Sequence, residues 1–283
     1  MKFSDFFEGW LNESYYANAA KIGKSGDFYT AVSVGSFFGI CIAREILRLS
    51  VDFCATQELS LDTAASPIAS RQNFAAACEL NSDVALAEKP QNSAKIAIVE
   101  IGSHDGRLLC DIAQAIFTLG GAAALDKFSF AIIEPHERLR ELQRASFAES
   151  FGDEIALKHF TGAREAKFKD AIFVANELFD AFKCEAVDGE NMLFIESGAV
   201  KFAPIKEREI LTLARKFGIS RGEISVGYFR FAREICASAQ RFYFIAFDYG
   251  QMGTSGDFSL RIYRNHEVFS FFEVQNLSDF YGK

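Results

Sequence analysis

The amino-acid sequence predicts an α/β fold of the Rossmann-like kind, a mostly parallel sheet with helices on both faces. Three observations carry that prediction. Residues 96–101 (Ile-Ala-Ile-Val-Glu-Ile) are apolar apart from Glu100, as expected of a strand buried on both faces of a parallel sheet. Gly102 and Gly106 then bracket a tight turn, and residues 108–117 continue with apolar side chains at three- and four-residue steps, the period of a core-facing helix. Two more apolar runs, 128–133 and 171–175, end in polar residues at Glu134 and at Asn176-Glu177. Strand, glycine turn and helix form the first unit of a nucleotide-type fold, whose helix N-terminus and free backbone N–H groups suit a polar or anionic cofactor.

The other elements follow in chain order. Residues 3–11 alternate aromatic and polar groups as a short amphipathic helix would. Residues 12–30 hold two glycines and three tyrosines without a clear period, which reads as an ordered loop carrying polar and aromatic groups. Residues 36–49 predict a helix burying Phe37, Phe38, Cys41, Ile42, Ile46 and Leu49. The composition then shifts to Ala, Ser, Asn, Gln and Glu over 51–94, an expected low-complexity insertion, partly helical. A helix over 136–147 and a strand over 155–160 follow the second buried strand. Residues 184–204, with turns at Asp188-Gly189 and Ser197-Gly198, predict an inserted hairpin or small meander. Residues 207–216 and 227–241 read as helices, and 241–247 as a fifth buried strand ending at Asp248 before Gly250. The expected division is 1–50 as helical segment and active-site loop, 51–94 as insertion, 95–250 as cofactor-binding core with the inserted region at about 183–224, and 251–283 as a cover segment.

Size and composition bound the function. The 283 residues are 49% hydrophobic, with 31 phenylalanines, enough for a substantial core. A net charge of −8 argues against nucleic acid, which draws basic stripes. The six cysteines are scattered, with no Cys-x-x-Cys pair, so neither a zinc site nor a disulfide framework is expected, and a reducing compartment follows. The N-terminus turns acidic at once, without a signal-type apolar region, and no uninterrupted apolar stretch approaches a bilayer-spanning length. The expectation is a cytoplasmic protein with no membrane insertion and no resident metal.

The polar residues at the strand ends are the candidate site. The turn is not G-x-G-x-x-G, because Ser103, His104 and Asp105 follow Gly102, so the dinucleotide fingerprint is poorly matched. Glu100 can organise the turn or reach a cofactor. Glu134 ends the second strand where a carboxylate can accept hydrogen bonds from both hydroxyls of a ribose; it can equally cap the following helix. Asn176, Glu177 and Asp180 can present polar groups to a nitrogen nucleophile, or can cap a helix start. Gly26-Asp27-Phe28-Tyr29-Thr30 can be a turn with an aromatic anchor.

Taken in order, five landmarks resemble the MidA-type S-adenosylmethionine (SAM) methyltransferases, the family that includes the mitochondrial complex I assembly methyltransferase. They are Gly26-Asp-Phe-Tyr-Thr30 with Phe38-Gly39 after it, Glu100-Ile-Gly-Ser-His-Asp-Gly-Arg-Leu108, Ala175-Asn-Glu-Leu-Phe-Asp-Ala181, Asp248-Tyr-Gly250 and Leu260-Arg-Ile-Tyr-Arg-Asn-His266. The resemblance implies a class I SAM-methyltransferase fold, with SAM held by Glu100, Gly102, Gly106 and Glu134. It also implies that Asn176 lies near the methyl group and that the Gly26 to Thr30 loop closes over the site. Characterised eukaryotic members methylate arginine on a respiratory complex I subunit, so a protein substrate of that kind is implied, although bacterial relatives need not share it. A guanidinium wants carboxylates in forked geometry; the candidates are Glu177 and Asp180, expected at i and i+3 on one helix face, with Asp27 third. The chain departs from the family pattern at Ala31-Val32-Ser33, where relatives have Ser-Pro-Glu, and at His104, where they have glycine. It also stops at Lys283, before the family's acidic-Thr-His segment and last strands. These departures motivate the alternative of a non-catalytic assembly factor that binds a partner protein. A nicotinamide-dependent oxidoreductase is disfavoured by the missing second fingerprint glycine.

Overall fold

Residues 96–101 pair on both sides, and the rest of their sheet is laid out from that strand. The computed structural model describes residues 1–11, 32, 35–58, 95–250, 253, 256–264 and 267–273. In chain order the elements are α1 (Phe3–Phe7), α2 (Phe37–Glu58), β1 (Ile96–Ile101), α3 (Arg107–Leu125), β2 (Phe128–Ile133), α4 (Glu137–Phe151), β3 (Leu157–Phe160) and β4 (Phe168–Asn176). A 3-10 turn at Phe179–Ala181 leads to β5 (Cys184–Asp188), β6 (Asn191–Glu196), β7 (Ala199–Pro204), α5 (Arg208–Phe217), β8 (Arg221–Ser225), α6 (Tyr228–Ser238), β9 (Ala239–Phe247), β10 (Arg261–Arg264) and β11 (Glu267–Ser270). Two compact units result: Gly35–Asn176 with Phe229–Phe247, and Met1–Val34 with Glu177–Tyr228 and Asp248–Lys283.

The first unit holds a five-stranded sheet in the order β3-β2-β1-β4-β9, parallel throughout. All six residues of β1 are buried, which explains the continuous apolar run, since fully burying each Val or Ile is worth about 1.5–3 kcal/mol. The chain steps from β1 to β2 through α3 and from β2 to β3 through α4, then crosses to the other side of β1 for β4, with β9 beyond it at the edge. This is the Rossmann-like arrangement expected from the sequence.

Helix α2 packs on α3. Its buried side is Ile42, Ala43, Ile46, Leu49 and Phe53, whereas Phe37 is 77% exposed and Cys41 is exposed, which corrects the expected face at two positions. The helix also runs to Glu58, nine residues past its expected end at Leu49, into the stretch assigned to the insertion. Tertiary contacts hold that extension: Arg241 lies over the Phe53 ring and donates to its carbonyl, and the Tyr243 hydroxyl donates to Asp52 (2.8 Å). Arg241 also pairs with buried Asp170 (2.6 Å) across β4 and β9. Helix α3 is long and apolar enough to pass for a membrane span by length and composition, which amends the reading that no stretch approaches that length. It breaks at Gly121, and its first half packs into the core through Leu108, Leu109, Cys110, Ile112, Ala113, Ala115 and Ile116.

The second unit contains an antiparallel sheet in the order β7-β6-β5-β8. Alternation along its strands separates two cores. Cys184, Ala186, Leu193 and Ile195 pack with Phe3 and Phe6 of α1, while Val187, Met192 and Ile224 pack with Ile210, Leu213 and Ala214 of α5. The inserted hairpin of the sequence reading is thus four strands, and the first helix of the chain is part of its core. Strands β10 and β11 form a separate hairpin. Cys236 is disulfide-bonded, which amends the expectation of no disulfide framework; Cys41, Cys110 and Cys184 are free.

Gly39 marks the closest approach of α2 to α3: a Cβ there would stand 2.6 Å from Asp111 Cβ and 3.3 Å from its carbonyl carbon. Gly39→Ala should therefore destabilise the protein by about 1–3 kcal/mol in urea unfolding despite the better helix propensity of alanine. Asp111→Gly should recover part of that loss in the double variant.

Candidate active site

The site starts from register. Ile101 of β1 stands level with Ile133 of β2 and with Ala175 of β4; β1 and β2 end there, and β4 ends one residue later at Asn176. The residues that follow these three are Gly102, Glu134 and Asn176, which the fold thus brings together at the carboxyl ends of the strands, where open α/β sheets bind ligands. The pairing continues one step past the strands: Gly102 N–H donates to the Ile133 carbonyl (3.3 Å) and Glu134 N–H to the Phe160 carbonyl (2.9 Å).

The turn after β1 alternates left-handed residues, Gly102 (φ 71°), His104 (φ 46°) and Gly106 (φ 83°). Left-handed backbone suits glycine, and His104 adopts it with a side chain present. The His104 Nδ1 lies 4.0 Å from an Asp105 carboxylate oxygen. At Gly106 a Cβ would stand 3.2 Å from the Gln143 backbone, so both its conformation and its packing call for glycine. Of the two roles open to Glu100, the geometry supports the turn. Glu100 is buried and accepts from the Ser103 hydroxyl (2.6 Å) and the Leu109 N–H. Burial, with the nearby charges of Asp105 and Asp111 adding to it, pushes its carboxyl up to about 8.

Glu134 is 3% exposed. One oxygen accepts from the His136 N–H (3.0 Å) and the other from the Gln143 side chain (3.4 Å). The first bond is the helix-capping contact that the sequence allowed; the second is a long-range contact it did not reveal. Burial raises the Glu134 pKa, against the pull of those two donors and of Arg140. Arg140 also donates to the Glu134 and Pro135 carbonyls (2.7 and 2.8 Å), fixing the bend between β2 and α4. Gln143 was missed by sequence reasoning. Its signal is a polar residue in the buried stripe Leu139, Gln143, Phe147 of α4.

The remaining candidates lie in the second unit. Glu177 follows Asn176 directly and takes a left-handed backbone (φ 49°), outside any helix; only Phe179–Ala181 is helical, a single 3-10 turn. The expected shared helix face of Glu177 and Asp180 is therefore corrected. The Leu178 and Phe179 N–H groups donate to Asp248 (3.1 and 2.8 Å), which satisfies the turn. Asp180 accepts from the Tyr249 hydroxyl (2.6 Å), and the Tyr228 hydroxyl donates to the Phe179 carbonyl (3.0 Å). Desolvation around the carboxyl group raises the Asp180 pKa, and the Asp248 charge adds to it. Asp27 and the whole Gly26 to Thr30 loop lie outside the described residues. Among the described residues no group of three or more His, Cys, Asp or Glu is arranged to hold a metal ion.

A parallel sheet with a left-handed turn after its first strand and an acid after its second defines a nucleotide-cofactor domain of the Rossmann-like class. The chain belongs to a SAM methyltransferase family: the family described as "Putative S-adenosyl-L-methionine-dependent methyltransferase" matches residues 80–280. Among solved structures the chain is similar to a Burkholderia thailandensis protein described as a "likely methyl transferase" and bound to S-adenosyl-homocysteine (TM-score 0.63, 21% identity, 95% of this chain and 65% of that one). It is also similar to a protein of the same superfamily from that organism, described as uncharacterized (TM-score 0.57, 20% identity, 95% and 64%). The chain thus spans just under two thirds of the length of these structures. A search of curated proteins gave no match.

The residues present fit the family's cofactor. Gly102 and Gly106 leave the turn without side chains at two positions, and each Glu134 oxygen, holding one hydrogen bond, retains acceptor capacity for a ribose hydroxyl. Glu100 yields a stability test. Its pKa is about 8 folded and near 4.5 unfolded, so between those values the folded chain holds the extra proton and stability falls as pH rises. Glu100→Gln should flatten the decline, with melting temperatures at pH 8.5 roughly 5 °C or more above wild type once both are referenced to pH 5.

Proposed function

We propose that the protein transfers a methyl group from SAM to nitrogen, with a protein arginine side chain as the acceptor. The observation that carries the cofactor half is the level ending of β1 and β2, with Gly102 and Glu134 side by side at the edge. When bound, SAM supplies an electrophilic methyl group on a sulfonium. Direct displacement there needs in-line positioning more than acid–base power. Gly102 and Gly106 let the backbone approach the amino-acid end, Glu134 accepts from the ribose hydroxyls, and Asn176 orients the methyl-bearing end.

The acceptor half rests on carboxylates. Glu177 and Asp180 are the candidates to fix a guanidinium in forked geometry, with Asp27 third. The left-handed backbone of Glu177 supports that role, because such strain gathers at functional positions. The MidA-type landmarks support a respiratory-complex subunit as the protein substrate. The departures at His104 and at Ala31 to Ser33 favour the rival reading, a methyltransferase fold that binds a partner protein without catalysis.

Calorimetry separates the two. The enzyme reading predicts S-adenosylhomocysteine binding that weakens about 10- to 100-fold in Glu134→Gln, the cost of a lost charge-assisted pair of hydrogen bonds. Because the ionised carboxylate is the better double acceptor and its pKa is raised, wild-type affinity should fall with decreasing pH sooner than for an ordinary Glu. No heat at millimolar ligand favours the scaffold. For the acceptor, radiolabelled SAM incubated with lysate of the source cell should label a band whose hydrolysate contains methylarginine, and Glu177→Gln should abolish it. An unchanged band in that variant removes Glu177 from the site.

A further inference from the structure

Gln143 is 0% exposed and sits in the middle of the buried stripe of α4. Its side chain meets the turn after β1, the residue after β2 and strand β3 at once. The amide nitrogen donates to the His104 carbonyl (3.0 Å), the crest of the turn after β1, and to Glu134 at the end of β2 (3.4 Å). The amide oxygen lies 3.0 Å from Nε2 of His159 on β3. Gly106 packs against the Gln143 backbone from the same turn.

This arrangement has one consistent set of protons. Both amide hydrogens face pure acceptors, a carbonyl and a carboxylate, so the amide cannot be flipped without setting oxygen against oxygen. The amide oxygen must then accept, and His159 Nε2 carries the hydrogen. A neutral imidazole does this, and burial together with the Arg144 and Arg140 charges keeps His159 neutral, its pKa lowered to about 4. Every polar atom of Gln143 is thereby committed, and the amide is held from β3 while it holds the turn and the acid.

We infer that Gln143 is the positioning residue of the nucleoside site. It acts through Glu134, whose carboxylate it aims, and through the His104 carbonyl, which it uses to fix the turn. The inference rests on the cofactor reading above and goes beyond it by naming the group that makes ribose recognition specific. His159 is the anchor of that group.

The test compares adenosine with 2′,3′-dideoxyadenosine as competitors of S-adenosylhomocysteine. Wild-type protein should prefer adenosine at least tenfold. Gln143→Met, similar in length and unable to hydrogen-bond, should cut that preference at least fivefold while changing dideoxyadenosine affinity less than twofold. In the Glu134→Gln background it should cut nothing further. If Gln143→Met does not fold, His159→Phe, which leaves the amide oxygen unanchored, should shift the preference in the same direction. Equal weakening of both nucleosides, or an undiminished preference, overturns the inference alone and leaves the cofactor reading standing. Failure of the wild-type protein to bind any of the three ligands overturns the cofactor reading and this inference with it.

Discussion

Strand β1 is clamped between two parallel neighbours in matched register, Ile98 standing opposite Phe130 on one side and Ile172 on the other. A one-residue shift would exchange every side chain of this fully buried strand between the faces of the sheet and undo its packing on both. That constraint decides where the chain can leave the sheet. Gly102, Glu134 and Asn176 emerge at one level because Ile101, Ile133 and Ala175 are partners, and two hydrogen bonds beyond the strands carry the alignment into the loops.

Two acids sit near this edge and the protein uses them differently. Glu100 belongs to β1 itself, is enclosed with the Ser103 hydroxyl and the Leu109 N–H, and serves the turn as a group that holds its proton to about pH 8. Glu134 lies one residue beyond β2, has donors on both oxygens, and keeps acceptor capacity. The two residues have the same side chain, so their surroundings alone set them apart. Backbone strain adds a further signature: His104 and Glu177, both left-handed without being glycine, follow β1 and β4 closely.

Much of the sheet was legible in the sequence because a parallel strand buried on both faces reads as an unbroken apolar run, as Ile96–Ile101 and Phe128–Ile133 do. The turn positions of Gly102 and Gly106 and the place of Glu134 just after β2 were legible because turns and strand ends have few chemical solutions. What was not legible depends on distant partners. Phe3 and Phe6 join a core with Leu193 and Ile195, and no local period announces that. The extension of α2 past Leu49 is held by Arg241 and Tyr243, nearly two hundred residues on. Glu177 and Asp180 have helical spacing, but the chain turns left-handed at Glu177, with Asp248 accepting from the next two N–H groups. Gln143 stood in plain view as a polar residue in an apolar stripe, and only the structure says what it touches.

Hydrogen exchange with and without S-adenosylhomocysteine tests the central claim most directly. If a nucleoside cofactor lies at the carboxyl edge of β1 and β2, ligand should slow exchange in peptides covering residues 102–107 and 134–137 while leaving the antiparallel sheet of 184–225 unchanged. Binding that leaves both loops unprotected, or that protects only the antiparallel sheet, would contradict it.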